Sequence, residues 1–149
     1  MEVVGIRDLR VETGKETYSI KTGKNIDIPQ WLAFFLEEEG VVKVKTYDNK
    51  YYQRLILEER KNKKLASLDK NFYEISMITL KKAAPEQKRK IMVSLRQLID
   101  LRLQKLMQLA IQDAEIEIPH MERILYNRVK EEIRNWFKDM EGIFDGDRL

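Results

Sequence analysis

The sequence predicts an α+β protein, with a small N-terminal β-rich domain containing one short helix, followed by an all-α helical domain of about four helices. Three observations carry this expectation. As far as Thr46 the apolar residues come in short β-branched runs broken by glycine. Beyond Lys50 the chain turns to long runs of Lys, Glu, Leu and Ile with apolar residues at helical spacing. Asp69, Pro85 and Pro119 stand where helices of that second part would begin. The boundary falls between Thr46 and Lys50, which gives a β-rich head over 1–47 and a helical assembly domain over 48–149.

In chain order, Val3 to Val11 and Thr17 to Thr22 read as strands, with turns at Gly14 and Gly23, where glycine supplies positive φ at little steric cost. Asp27 is expected to cap a short, largely buried helix that has Pro29 near its first turn and contains Trp31, Leu32, Phe34, Phe35 and Leu36, with Gly40 as its stop. Val41 to Thr46 alternates as a further strand, and Asp48-Asn49 marks a turn. Four helices follow, over 51–65, 69–84, 85–113 and 119–140. The first is expected to be exposed, since Glu58, Glu59, Asn62 and Lys63 recur at helical spacing and large apolar residues are few.

The third helix is the informative one. Met92, Leu95, Ile99, Leu103, Leu106 and Ala110 form one stripe, and Leu98, Leu101, Leu109 and Ile111 cover adjoining directions. A helix apolar over more than half its circumference is either the centre of a compact bundle or a subunit interface. The last helix adds Met121, Leu125, Val129, Ile133, Trp136 and Met140, and two such helices favour packing between molecules. The interface residues predicted on the third helix are Leu95, Leu98, Arg102, Lys105, Leu106 and Leu109. Arg102 and Lys105, polar within an apolar helix, call for a carboxylate or carbonyl partner, which could lie across a chain boundary.

Composition narrows the chemistry. The 149 residues include no cysteine, which removes disulfides, thiol nucleophiles and cysteine-rich zinc sites and suits a reducing interior. With a single histidine, His120, no multi-histidine metal site or serine-type triad can form within one chain. Gly14-Lys15 and Gly23-Lys24 lack the rest of a phosphate-binding loop, and Asp145-Gly146-Asp147 is too short for a calcium loop. No apolar run approaches the ~20 residues that span a bilayer. Carboxylates are too numerous for counting to exclude an acid/base pair, and an enzyme using Asp and Glu stays the third alternative, but no nucleophile or base constellation is visible, so the expectation is a non-enzymatic chain with no catalytic or metal-binding residues, no cofactor and no membrane contact, working in the cytoplasm. Rich use of Lys, Glu and Ile without Cys is thermophile-like. A net charge of +3 comes from 28 basic and 25 acidic residues, so most charges belong to solvated helix faces. Two basic clusters, Arg60, Lys61, Lys63 and Lys64, and Lys88, Arg89 and Lys90, could together make a patch for weak DNA contact. The alternative to an assembly subunit is a free-standing nucleic-acid-binding module built on them. No aromatic residue is interleaved with either cluster, which argues against a single-strand platform.

The segment Asn25-Ile26-Asp27-Ile28-Pro29-Gln30-Trp31-Leu32-Ala33, followed by Leu36 and the strand from Val41 to Val44, resembles the GINS subunits that carry their small β-domain at the N-terminus. Asn71-Phe72-Tyr73-Glu74-Ile75 through Ala84 is similar to that family's second core helix, and Asp100-Leu101-Arg102-Leu103-Gln104-Lys105-Leu106 to its Asp-x-Arg-x-x-Lys-Leu pattern. The resemblance covers nearly the whole chain, and with its short connection between head and helices the chain looks like the archaeal form. It implies a replisome scaffold: a 2:2 heterotetramer with a reversed-order GINS subunit that joins the MCM replicative helicase to a RecJ-like protein at the fork, within the nucleoid. It further implies Pro29, Trp31, Leu32 and Ala33 as the head-domain motif, with Trp31 and Leu32 anchoring the short helix inside the head.

Overall fold

A computed structural model describes residues 1–144 and divides the chain into two compact units, 1–47 and 48–149. Asp145-Gly146-Asp147 lies outside the described residues. Among the described residues the architecture is α+β: five strands in two small sheets and one short helix form the first unit, and four helices the second.

In the first unit, β1 (Glu2–Gly5), β4 (Asn25–Asp27) and β5 (Val42–Val44) make an antiparallel sheet in the order β4-β1-β5, with Val3 opposite both Ile26 and Val44. Strands β2 (Leu9–Glu12) and β3 (Thr17–Ile20) form a separate hairpin, Val11 facing Tyr18. The expected strand from Val3 to Val11 is thus two strands in two sheets. Asp27 does not cap the helix; it pairs with Glu2 in the sheet, and Pro29 occupies the cap position of α1 (Gln30–Glu38) without a side-chain hydrogen bond. The end of α1 follows the expected rule: Glu39 closes the last turn, and Gly40 takes a φ of 73°, which a side chain would resist, to swing the chain into β5.

The core of this unit is Val3, Ile20, Ile28, Leu32, Ala33, Leu36 and the valines of and before β5. Helix α1 is amphipathic, and this corrects the expectation of a largely buried helix anchored by Trp31. Leu32, Ala33 and Leu36 face inward, whereas Trp31 is 61% exposed and Phe35 55%. Spacing explains it: Leu32, Ala33 and Leu36 share a stripe at i, i+1 and i+4, and Trp31 lies with Phe34 and Phe35 on the other side. Accordingly, Leu32→Ala should cost about 2–5 kcal/mol, as a large-to-small change in a closed core. Trp31→Ala should change stability by no more than about 0.5 kcal/mol. Denaturant unfolding of the two variants checks the contrast.

In the second unit, α2 (Asn49–Lys61) starts on Asp48, whose carboxylate accepts from the Tyr51 amide at 2.9 Å. Helix α3 (Phe72–Lys82) begins three residues later than expected, because Asp69 accepts from the Asn71 amide in the preceding turn and does not cap the helix. Pro85 opens α4 (Pro85–Ile111), and α5 (His120–Phe144) follows Pro119. Helices α2 and α4 run side by side in the same direction. Asn49 accepts from the Ser94 hydroxyl at 2.7 Å near one end, and Glu59 meets Arg102 and Lys105 near the other. Far from being an exposed helix, α2 buries Tyr52, Leu55, Ile56 and Glu59. Tyr52 stacks edge-on against Phe72 at 6.0 Å and donates to Ser76, which fixes α3 on the pair. Among the described residues no helix is long and apolar enough to cross a membrane.

Candidate subunit interface and the charged network beneath it

The inward seam of α4 is Ile91, Ser94, Leu98, Arg102, Leu106 and Ala110, at helical spacing. It contains two polar residues, so a search for apolar stripes alone passes over it. Leu98, Arg102 and Leu106 are therefore core residues of this chain, not subunit contacts, and that part of the expected interface is corrected. Leu106 and Ala110 pack with Tyr126 of α5, and Leu109 joins them, half-buried. Lys105 is held within the chain, and Leu95 is half-buried at the edge of a groove with Leu80 and Met92.

Arg102, 1% exposed, does find the carboxylate and carbonyl partners its position called for, all inside this chain. Its Nε donates to Glu122 Oε1 at 2.6 Å and its Nη2 to Oε2 at 2.8 Å, a two-pronged bond. Its Nη1 donates to the Ala66 carbonyl at 2.7 Å and lies 3.4 Å from the Glu59 carboxylate. Glu59 in turn accepts from the Ala66 amide at 2.9 Å. Lys105 donates to the Asn62 carbonyl at 2.7 Å and the Lys64 carbonyl at 3.0 Å, and also to the Glu59 carbonyl. An ammonium there satisfies carbonyls at the C-terminal end of α2 and lies at the negative end of its dipole. Two cations face two carboxylates, so the buried charges balance.

Tyr73 completes the network by donating to Glu122 Oε1 at 2.6 Å. Burial by itself would lower the Arg102 pKa, but the hydrogen bonds and charge of Glu122, with the charge of Glu59, raise it overall. Burial, then the bond to Glu122 and its charge, pushes the Tyr73 phenol well above its usual 10.0. Burial also raises Tyr52. A phenol whose pKa is higher folded than unfolded gives its full contribution below its unfolded pKa, and loses it as pH climbs through the folded value. Thermal stability should therefore begin to fall above about pH 10. Tyr73→Phe should flatten that fall, as followed by melting temperature and tyrosinate absorbance across the alkaline range.

Outside this network, apolar surface is left open. On α4, Met92, Leu103, Met107 and Ile111 are exposed along one side, with Ile99 half-buried among them. On α5 the inner line runs Glu122, Tyr126, Val129, Ile133, Phe137, Met140, Phe144, each three or four residues after the last. Glu122 and Tyr126 are buried and Val129 and Ile133 half-buried, and beyond them the line opens to solvent at Phe137 and Phe144. Asp113, just past the end of α4, pairs with Lys130 at 3.0 Å and Arg134 at 2.7 Å. From Arg134 the helix runs on for about 15 Å. Phe137 is 48% and Phe144 80% exposed on that run, and Trp136 is exposed beside them. Of the other α5 residues expected in a second stripe, Met121 and Leu125 are exposed, and Val129, Ile133 and Met140 half-buried.

The two basic clusters do not form one patch. Asn62 to Lys64 sit against Lys105, and Lys88 to Lys90 lie in the first turns of the same helix. From Arg89 to Lys105 the helix rises about 24 Å. Arg60, Lys61, Lys63 and Lys64 are exposed, as are Lys88, Arg89 and Lys90. Among the described residues no group of three or more His, Cys, Asp or Glu side chains could hold a metal ion. Fold and surface thus define a two-unit α+β chain whose helical unit leaves large apolar residues of both α4 and α5 exposed. Neither a protein-family model nor a curated protein matches the sequence.

Proposed function

We propose that the chain is a non-catalytic subunit of a GINS-type complex, a scaffold that joins the MCM replicative helicase to a RecJ-like partner during DNA replication. The observation that carries this reading is the unpartnered apolar face of α4 and α5, from Met92 to Ile111 and from Met121 to Phe144. Apolar surface that extensive marks a protein-protein interface. The partner is a subunit with the reversed domain order, in a 2:2 heterotetramer. The resemblance of the Pro29 to Ala33 segment and of the Asp100 to Leu106 pattern supports this choice.

In this account Arg102, Lys105, Glu59 and Glu122 hold the helical unit in the shape that presents the face. The exposed aromatic side of α1, with Trp31, Phe34 and Phe35, is the head's own docking surface for helicase-associated proteins. The test is functional. The assembled complex should bind MCM helicase, raise its unwinding rate and retain a RecJ-like protein. Trp31→Ala in that complex should weaken one of these contacts without loss of fold. A complex that binds neither protein at micromolar concentration would overturn the proposal.

A further inference from the structure

The link between α4 and α5 is a second, chemically different surface. From Ala114 to Ile118 the residues alternate half-buried and exposed, the pattern of an extended chain. Ile116 and Ile118 pack on the Leu106–Ala110–Tyr126 cluster, and Glu115 and Glu117 point to solvent. The Ala114 carbonyl accepts from the Tyr126 hydroxyl at 2.6 Å, and the Ile116 carbonyl accepts from Arg123. In an extended chain alternate residues turn their N–H and C=O to opposite sides. With the carbonyls of 114 and 116 spent toward α5, the peptide groups of Glu115 and Glu117 face the other way, and among the described residues no backbone hydrogen bond engages them. That is an open strand edge.

This edge borders a groove of about 570 Å³ that also has Lys63, Lys64, Leu65 and Leu109 in its lining. Neither Glu115 nor Glu117 has an ion partner among the described residues. We propose that this edge takes an extended peptide of a partner by strand addition, with a basic–apolar–basic alternation. Two basic side chains would lie directly opposite Glu115 and Glu117, where cross-strand pairs of opposite charge are favoured. The apolar side chain between them would sit on the side of Ile116, against Leu65 and Leu109. The ammonium groups of Lys63 and Lys64 suit the carbonyls on the peptide's far edge, so the two walls of opposite charge serve different parts of one ligand. Main-chain bonds supply affinity and alternate side chains supply specificity. None of this depends on which complex the chain joins.

The full-length chain and fluorescent five-residue peptides test it by anisotropy and amide hydrogen exchange. An acetylated Lys-Ile-Lys-Ile-Lys amide should bind and slow exchange at Glu115 and Glu117. The matching Glu-Ile-Glu-Ile-Glu peptide should not bind. N-methylating the lysine peptide on alternate amides, which leaves its charge intact, should weaken binding at least tenfold with the protein unaltered. Glu117→Pro, which removes one donor and suits an extended chain, should do likewise. Joint Glu115→Lys and Glu117→Lys changes should reverse the charge preference. Equal binding of the N-methylated peptide, protection confined to other residues, or no binding at millimolar peptide would each overturn the proposal.

Discussion

Replacing Arg102 by methionine should destabilise the helical unit by about 3–5 kcal/mol, because it leaves buried carboxylates without their main counter-charge. Glu122 would lose a two-pronged bond, and Glu59 would keep only Lys105 and the Ala66 amide. The same mutation would release the Ala66 carbonyl, loosening the link between α2 and α3. A double-mutant cycle with Glu122→Gln should show a coupling energy of the order of 1–3 kcal/mol, since each partner's loss already removes the shared bonds. The exposed Arg96–Asp100 pair, 3.3 Å apart one helical turn along α4, gives the internal comparison. Its removal should cost less than about 1 kcal/mol. Equilibrium unfolding by urea decides between these values, and an Arg102→Met protein as stable as the parent would remove the network from the account.

The second large effect is on assembly and not on folding. Leu103→Glu combined with Met107→Glu places two carboxylates in the centre of the exposed side of α4, one turn apart. In the isolated chain Leu103 is 37% and Met107 40% exposed, enough for a carboxylate to reach water, so each change should cost no more than about 1 kcal/mol. Against a partner subunit the same charges would be desolvated without a counter-ion, which costs several kcal/mol each. The double variant should therefore keep its helical circular dichroism and lose the partner on gel filtration. Loss of both signals together would mean that this side of α4 belongs to the chain's own core.

The legible part of the sequence was the part in which one residue's type fixes its surroundings. Gly40 ended α1, Pro85 opened α4, and the change of period near residue 48 coincides with the division into two units. The direction of each helix face was less legible. A stripe of apolar residues says that something covers it, not which stripe is covered, and on α4 the inward side proved to be the one carrying Ser94 and Arg102. Those two are tolerated there only because Asn49, Glu59 and Glu122 reach them from 20 to 45 positions away, which no local pattern records. A signal for Glu59 did exist. It follows Tyr52, Leu55 and Ile56 at i+7, so it occupies the seam of α2 as a carboxylate in a core position. Trp31 illustrates the converse: a large aromatic residue at the start of a helix is not inward by virtue of its size, and its angular position next to Leu32 placed it outside.

A second subunit covering the exposed apolar residues of α4 and α5 would set the chain's mass in solution. Light scattering on the chain co-expressed with a reversed-order partner tests it directly. The expected result is a stoichiometric complex containing two copies of each, and for the chain alone a mass above 17.8 kDa that rises with concentration, or precipitation. A single species of 17.8 kDa at every concentration, unchanged when the partner is added, would contradict it.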